Sequence, residues 1–212
     1  MSRTRIVLAD DHTLILEAFK KLLEPEFEVV GTATEGRSLV AVAREMRPDV
    51  VVLDISMPIL NGLVAAQQVK AVLPAVKLVF LTMNADPDLA KEALHLGASG
   101  YLLKTSAASE LSIAIRNAVR GKKHVTPLIQ REMEKDFINN PAKTETRREL
   151  TVRQREVLQL LAEGRSMKEV ASILHMSHRT VAFHKYRIMA DLRLKNSAEL
   201  VRYAIAHGII PG

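Results

Sequence analysis

The chain has 212 residues, with 30 Lys and Arg against 24 Asp and Glu, and this length favours two domains of ordinary size over one large domain. It contains no cysteine, which excludes disulfides, thiolate catalysis and cysteine-based zinc sites and is typical of a reducing compartment. No run approaches the roughly 18 apolar residues of a membrane span, and the first residues lead into a predicted strand instead of a signal peptide, so we expect a cytosolic protein without a membrane partner.

Charge is divided unevenly between the two halves of the chain. Residues 1–120 carry 13 Lys and Arg against 14 Asp and Glu, whereas residues 121–212 carry 17 against 10. The basic second half indicates a polyanionic partner such as nucleic acid, although many solvated helical surfaces are also basic.

Short apolar runs alternate with segments of helical periodicity over the first 121 residues. The runs are Ile6–Ala9, Val29–Gly31, Val50–Leu53, Leu78–Leu81 and Tyr101–Leu103. The helical segments that follow them stop at Pro25, Pro48, Pro74, Gly97 and Gly121. Five β/α units of this kind predict a parallel sheet with right-handed crossovers and helices on both faces.

Acidic residues follow two of these predicted strands. Asp54 ends the most apolar run, and Asp10 and Asp11 follow the first run. If the two strands are neighbours, the three carboxylates meet at the edge of the sheet where open α/β sheets bind ligands. Such a cluster requires a cation or raised pKa values, and oxygen-only ligands favour Mg²⁺. The alternative is that Asp54 merely caps the next turn.

The second half of the chain changes character after Gly121. Between Gly121 and Leu150 the apolar period is lost, apart from a segment around Leu128 to Ile138 that could form a helix. From Thr151 the chain forms short predicted helices, and Ser177 has the character of an N-cap for the third of them. The spacing of the second and third helices is typical of a helix-turn-helix.

These motifs together resemble a known family. Asp10-Asp11, Asp54 in Leu-Asp-Ile-Ser-Met-Pro, Thr82 and Lys104 resemble the conserved positions of a response-regulator receiver domain. The sequences Leu-Thr-Val-Arg-Gln-Arg-Glu-Val-Leu from Leu150 and Thr-Val-Ala-Phe-His from Thr180 resemble the LuxR-type helix-turn-helix. The chain thus resembles two-component response regulators of the NarL/FixJ type. This implies a flavodoxin-like (βα)5 doubly wound receiver at 1–121, a linker at 122–147, and a small all-α helix-turn-helix domain at 148–212.

The resemblance assigns a role to each residue of the receiver site. Asp54 is implied to accept a phosphoryl group from a sensor histidine kinase, with Mg²⁺ held by Asp11, Asp54 and the backbone carbonyl of Ser56 and reached by Asp10 through water. Lys104 is implied to pair with Asp54 and then with a phosphate oxygen. Without the resemblance, a lysine that closes a strand is usually a solvated strand end.

The same resemblance implies a conformational switch. The Thr82 hydroxyl is expected to move toward the phosphoryl oxygen, which leaves room for the Tyr101 ring to turn inward. Taken alone, Tyr101 is more often a half-buried core residue. Ser56 and Asn84 are expected to lie near the route of the attacking water and to tune the lifetime of the phosphoryl group.

The third helix of the second domain is implied to enter the major groove of double-stranded DNA. Bases are expected to be contacted by Ala182, Phe183 and Tyr186, and phosphates by Arg179, Lys185 and Arg187, with Thr180 in the same DNA-binding set. His184 is better explained as a core histidine than as a metal ligand. The last helix, through Leu200, Val201 and Ala204, is implied to form a homodimer contact on DNA, although it could simply cover the recognition helix.

The leading hypothesis is therefore a transcription regulator, not an enzyme, in which phosphorylation of Asp54 controls dimerisation and sequence-specific DNA binding. One alternative is a Mg²⁺-dependent phosphoryl-transfer enzyme with Asp54 as its nucleophile. Another is a constitutive DNA-binding protein whose receiver serves only as a dimerisation module.

Overall fold

A parallel sheet forms the centre of the first domain. The computed structural model describes residues 3–83, 85–139 and 150–211. Its strands are β1 (Arg5–Ala9), β2 (Glu28–Ala33), β3 (Val50–Asp54), β4 (Lys77–Thr82), β5 (Gly100–Leu103) and β6 (His124–Val125). They form one six-stranded sheet in the order β2-β1-β3-β4-β5-β6, with every pair parallel. The predicted doubly wound α/β fold is confirmed.

Helices cover both faces of this sheet. They are α1 (Thr13–Leu23), α2 (Gly36–Met46), α3 (Gly62–Val72), α4 (Pro87–His95) and α5 (Ala107–Val119). Alternate residues of each strand point to opposite faces. Accordingly, Val51 and Leu53 pack with α2, α3 and α4, whereas Val50 and Val52 pack with α1 and α5. All five residues of β3 are buried, as the continuous apolar run predicts.

The receiver extends beyond the boundary that the sequence predicts. Residues 124 and 125 form β6, which pairs with β5, and α6 (Pro127–Asn139) follows directly. Ile129 of α6 is fully buried in the receiver core, and Lys91 of α4 lies 2.6 Å from Asp136 of α6. The predicted helix around Leu128 to Ile138 is therefore present, but it packs on the receiver. The rest of the predicted linker, residues 140–147, lies outside the described residues.

The second domain is helical and has its own core. Its helices are α7 (Val152–Ala162), α8 (Met167–Ile173), α9 (His178–Asp191) and α10 (Ser197–Ala206). The Ser177 hydroxyl accepts a hydrogen bond from the backbone N–H of Thr180, so Ser177 is the N-cap of α9 as predicted. Val157, Val170, Val181 and Ile188 are fully buried between the helices. None of the helices in the described ranges is both long and apolar enough to span a lipid bilayer.

Candidate functional site

Three charged side chains meet at the carboxyl edge of the sheet. Lys104 Nζ lies 2.9 Å from Asp54 Oδ2 and 2.7 Å from Asp10 Oδ2. The three side chains are only 5%, 5% and 1% exposed, respectively. Since β1 pairs with β3, Asp10 and Asp54 leave neighbouring strands, and the Lys104 backbone N–H bonds to the Thr82 carbonyl. The structure thus brings together three of the predicted site residues.

The charges of this triad do not balance. Two carboxylates share one ammonium group, which leaves one excess negative charge in a buried place. Burial raises the pKa of Asp54, Lys104 opposes this shift, and Asp10 adds to it. Burial disfavours the charged form of Lys104, but Asp54 and Asp10 nevertheless raise its pKa. Lys104 therefore remains protonated. The excess negative charge of the triad favours the binding of a further cation.

Asp11 completes the acidic cluster with a neighbour that the sequence analysis did not single out. His12 Nδ1 lies 2.8 Å from Asp11 Oδ1 and 3.2 Å from Asp10 Oδ1, and its backbone N–H donates to Asp10. Oxygen and nitrogen ligand atoms of Asp10, Asp11 and His12 lie within 4.8 Å of one another. The carboxylate oxygens fit a hard divalent cation such as Mg²⁺, and the unbalanced charge of the triad favours one. The His12 imidazole lies close to one oxygen of each of these two carboxylates.

Thr82 and Tyr101 lie next to the triad. Thr82 ends β4, and the Tyr101 ring is fully buried beside Phe80 at a centroid distance of 6.4 Å. Burial raises the pKa of Tyr101 strongly, and the neighbouring Thr82 side chain opposes part of the shift. The structure places the Tyr101 ring in the inward position. Asn84 lies outside the described residues.

The loop after Asp54 is tightly constrained at both ends. The Ser56 backbone N–H donates to Asp54, and the Gly62 N–H bonds to the Ile55 carbonyl. A Cβ atom on Gly62 would overlap the carbonyl oxygen of Asp54, so only glycine allows α3 to begin this close to β3. Ile59 has φ of +67°, which is unfavourable for a β-branched residue. The contacts around this loop must hold that conformation.

Those contacts come from the second domain. Gln159 of α7 donates from Nε2 to the Met57 carbonyl at 2.8 Å, and its Oε1 accepts from the Asn61 N–H at 2.5 Å. Glu163 accepts from the Ile59 N–H at 3.0 Å, and Gln159 also donates to Glu163. Gln159 is only 1% exposed. A buried amide of the second domain therefore holds the loop that follows Asp54.

Further polar contacts extend this interface along α3 and α4. Asn61, the N-cap of α3, donates from Nδ2 to the Gly208 and Ile209 carbonyls at 3.1 and 3.3 Å. Gln68 donates to Glu156 at 3.0 Å, and Arg155 forms an ion pair with Glu92. Sequence reasoning missed this interface because its residues are polar and lack an apolar period. On α7 they are Arg155, Glu156, Gln159 and Glu163, which share one face and have the composition of a solvated helix surface.

The docking contacts described above do not involve the exposed face of α9. Phe183 and Tyr186 are 63% and 64% exposed, and Arg179 and Arg187 are exposed as well. Thr180, Ala182 and Lys185 are half-buried. Four of the predicted DNA-binding residues therefore face solvent, and the other three lie at the margin of that face. The recognition helix is accessible while the two domains are docked.

The predicted dimer residues on α10 lie mainly in the core of their own domain. Leu200 and Ala204 are 1% and 0% exposed, and Val201 is half-buried. The side chains of Leu200 and Ala204 therefore stabilise the monomer as part of the core that α10 shares with α7, α8 and α9. The exposed residues of α10 are Ser197, Ala198, Arg202, Ile205 and Ala206. A contact between copies through α10 would use residues of this exposed set, with Val201 at its margin.

Two family models match the chain in tandem. Residues 6–116 match the response regulator receiver domain, and residues 148–204 match the luxR family of bacterial regulatory proteins.

Proteins of the same two-domain architecture resemble the whole chain. The oxygen regulatory protein NreC of Staphylococcus carnosus is 35% identical over 209 residues, which is 95% of this chain and 96% of that protein. RcsB of Salmonella enterica serovar Typhimurium, solved with promoter DNA and the phosphomimetic BeF3⁻, superposes with a TM-score of 0.66 at 27% identity, over 95% of this chain and 98% of that one. A structure of two RcsB dimers bound to two parallel DNAs superposes with a TM-score of 0.59 at 28% identity, with the same coverage.

Proposed function

The chain belongs to the response regulators that join a receiver domain to a LuxR-type DNA-binding domain, and from this premise we propose that phosphorylation of Asp54 controls how it dimerises on DNA and regulates transcription. The observation that carries the proposal is the buried Lys104 between Asp10 and Asp54, with the loop after Asp54 bonded to the second domain. We further propose that the protein acts in the cytoplasm, where its kinase and its DNA are both accessible.

The proposed chemistry is transfer of a phosphoryl group from a histidine of a sensor kinase. A carboxylate oxygen of Asp54 attacks the phosphorus, the P–N bond breaks, the kinase histidine keeps the electron pair, and an acyl phosphate forms. Lys104 then offsets charge on a phosphate oxygen, because its ammonium already lies 2.9 Å from Asp54. Asp54 is modified once per signal, so it acts as an acceptor and not as a turnover catalyst.

Magnesium is part of this proposal. Asp11, Asp54 and the backbone carbonyl of Ser56 would hold it directly, and Asp10 would reach it through water. When bound, Mg²⁺ supplies positive charge that stabilises the transferring phosphoryl oxygens. One Asp11 carboxylate oxygen lies 2.8 Å from His12 Nδ1, so the imidazole and the metal would share this carboxylate.

Thr82 is proposed to transmit the event within the receiver. Thr82 ends β4, and its side chain interacts with the buried Tyr101. A phosphoryl oxygen on Asp54 is a stronger acceptor, since hydrogen bonds to charged groups are about twice as strong as neutral ones. When Thr82 turns to it, the space beside the Tyr101 ring changes, and so does the packing of that ring beneath α4.

The second route of transmission is the loop between Asp54 and α3. A phosphoryl group on Asp54 must be accommodated by residues directly preceding Met57, whose carbonyl bonds to Gln159. Docking leaves the exposed face of α9 accessible, so it does not act by covering the DNA-binding surface. We propose that it fixes the orientation of the DNA-binding domain, and that release lets two copies align with two half-sites.

The test compares full-length protein with Asp54→Ala, each with and without a small phosphodonor and Mg²⁺. DNA affinity and dimer mass are measured on the same samples. The proposal expects the phosphodonor to increase both quantities in the wild type only. If the wild type carries phosphate, shown by intact mass, and neither quantity changes, phosphorylation does not control DNA binding and the chain is a constitutive DNA-binding protein.

A further inference from the structure

The solvent-facing stripe of the recognition helix is aromatic. Phe183 and Tyr186 lie one turn apart on the outer face of α9, with exposed fractions of 63% and 64%. Arg179 lies one turn before them, and Ala190 lies one turn after them on the same face. Two large rings exposed side by side mark a surface that contacts a partner.

The surroundings of these rings favour DNA as the partner. Arg179, Lys185 and Arg187 flank the rings on α9, and acidic Asp191 follows at the end of the helix and pairs with Arg187 at 3.0 Å. The helix belongs to a LuxR-type domain. A basic rim around an apolar centre complements a groove lined by phosphates, whereas a second copy of the same stripe would bring like charges together.

The chemistry of the rings restricts what they can recognise in the major groove. Guanine is read by paired donors from arginine or lysine, and adenine by the amide of asparagine or glutamine. Phe183 has no polar side-chain atom, Ala182 beside it has only a methyl group, and Tyr186 has a single hydroxyl. The apolar group that the major groove offers is the C5-methyl of thymine.

We propose that Phe183, supported by Ala182 and Tyr186, reads thymine methyl groups, so that this protein selects half-sites with A·T pairs beneath the middle of α9. This inference rests on the proposed DNA-binding function and specifies the bases that function requires. Arg179, Lys185 and Arg187 then set affinity through phosphates, and the rings set the choice of sequence.

The experiment first selects binding sites for the full-length protein, with phosphodonor and Mg²⁺, from a random double-stranded DNA library. The selected duplex is then synthesised with thymine or with deoxyuridine at each T of the half-site, a change that removes only the methyl group. Wild type, Phe183→Ala and Phe183→Leu are compared, and circular dichroism verifies that each variant is folded.

The inference expects recurring thymines in the half-site and a loss of about fourfold in wild-type affinity for each contacted methyl, which corresponds to ~0.8 kcal/mol at 1.4 kcal/mol per tenfold. Phe183→Ala should bind the thymine and uracil duplexes about equally, and Phe183→Leu should keep part of the difference. Equal wild-type affinity for the thymine and uracil duplexes would overturn the inference. A dimer that forms without DNA and is lost in Phe183→Ala would also overturn it, because the rings would then contact a second copy of the chain. Failure to enrich any sequence would overturn the DNA-binding proposal itself.

Discussion

Replacement of Gln159 by leucine tests whether the second domain is held by the loop after Asp54. Leucine keeps the approximate volume of the side chain but removes its bonds to the Met57 carbonyl and the Asn61 N–H, and Met57 and Asn61 are each 1% exposed. In the docked state both backbone groups lose their partner, whereas in the undocked state water can reach them. At about 1 kcal/mol for each hydrogen bond, docking weakens by roughly 2 kcal/mol, or about 30-fold.

The absence of cysteine makes a distance measurement simple. Cysteines introduced at the exposed positions Lys21 and Lys195, one in each domain, carry a fluorescent donor and acceptor, and energy transfer reports the docked fraction. We expect a single docked population for the wild type, a broad undocked population for Gln159→Leu, and no change for Gln67→Leu, a matched control at an exposed glutamine of α3. The same distance distribution in Gln159→Leu and wild type would show that Gln159 does not hold the domains together.

Three further predictions concern the receiver. Lys104→Met leaves two buried carboxylates without their cation, so the free energy of unfolding in urea should fall by about 3–5 kcal/mol, and added Mg²⁺ should restore part of it. A variant as stable as the wild type without Mg²⁺ would show that Lys104 does not compensate the two carboxylates. Burial disfavours the charged form of Glu110, but hydrogen bonds from His124, Thr126 and Ser106 lower its pKa below the ordinary value. The ionised Glu110 carboxylate therefore contributes to folding stability at neutral pH, and this contribution is lost as the pH falls through the lowered pKa. Glu110→Gln should be about 1–2 kcal/mol less stable than the wild type at pH 7, with a smaller difference at pH 3. Gly62→Ala should prevent α3 from packing against β3 and give a poorly soluble chain, whereas the exposed Ala75→Gly should remain soluble.

The sequence predicts the parts of the molecule that follow from apolar periodicity and strand order. The continuous apolar run of β3 and the acids after β1 and β3 predict that Asp10 and Asp54 meet at one edge of the sheet if the two strands are neighbours. Lys104 also follows a strand, but its pairing with Asp54 is predicted only by the resemblance to receiver domains. Ser177 was identifiable as an N-cap because a hydroxyl precedes the apolar face of the third helix.

Other features lack such a signal. Strand β6 has two residues, one of them histidine, so it shows no alternation. The docking of the domains depends on Gln159 and Asn61, whose side chains bond to backbone atoms and leave no hydrophobic pattern. For α10, the resemblance pointed to Leu200 and Ala204 as a surface, whereas their apolar character serves the core of the domain.

The short strand β6 also determines where the first domain can be separated from the second. Without it, the backbone of β5 would present an open edge, which is a template for pairing with other chains and for aggregation. The His124 N–H bonds to Ser99 and the Thr126 N–H bonds to Tyr101, so this edge is closed within the chain. A receiver truncated at Gly121 should therefore aggregate during expression, whereas one that continues to Asn139 should remain monodisperse.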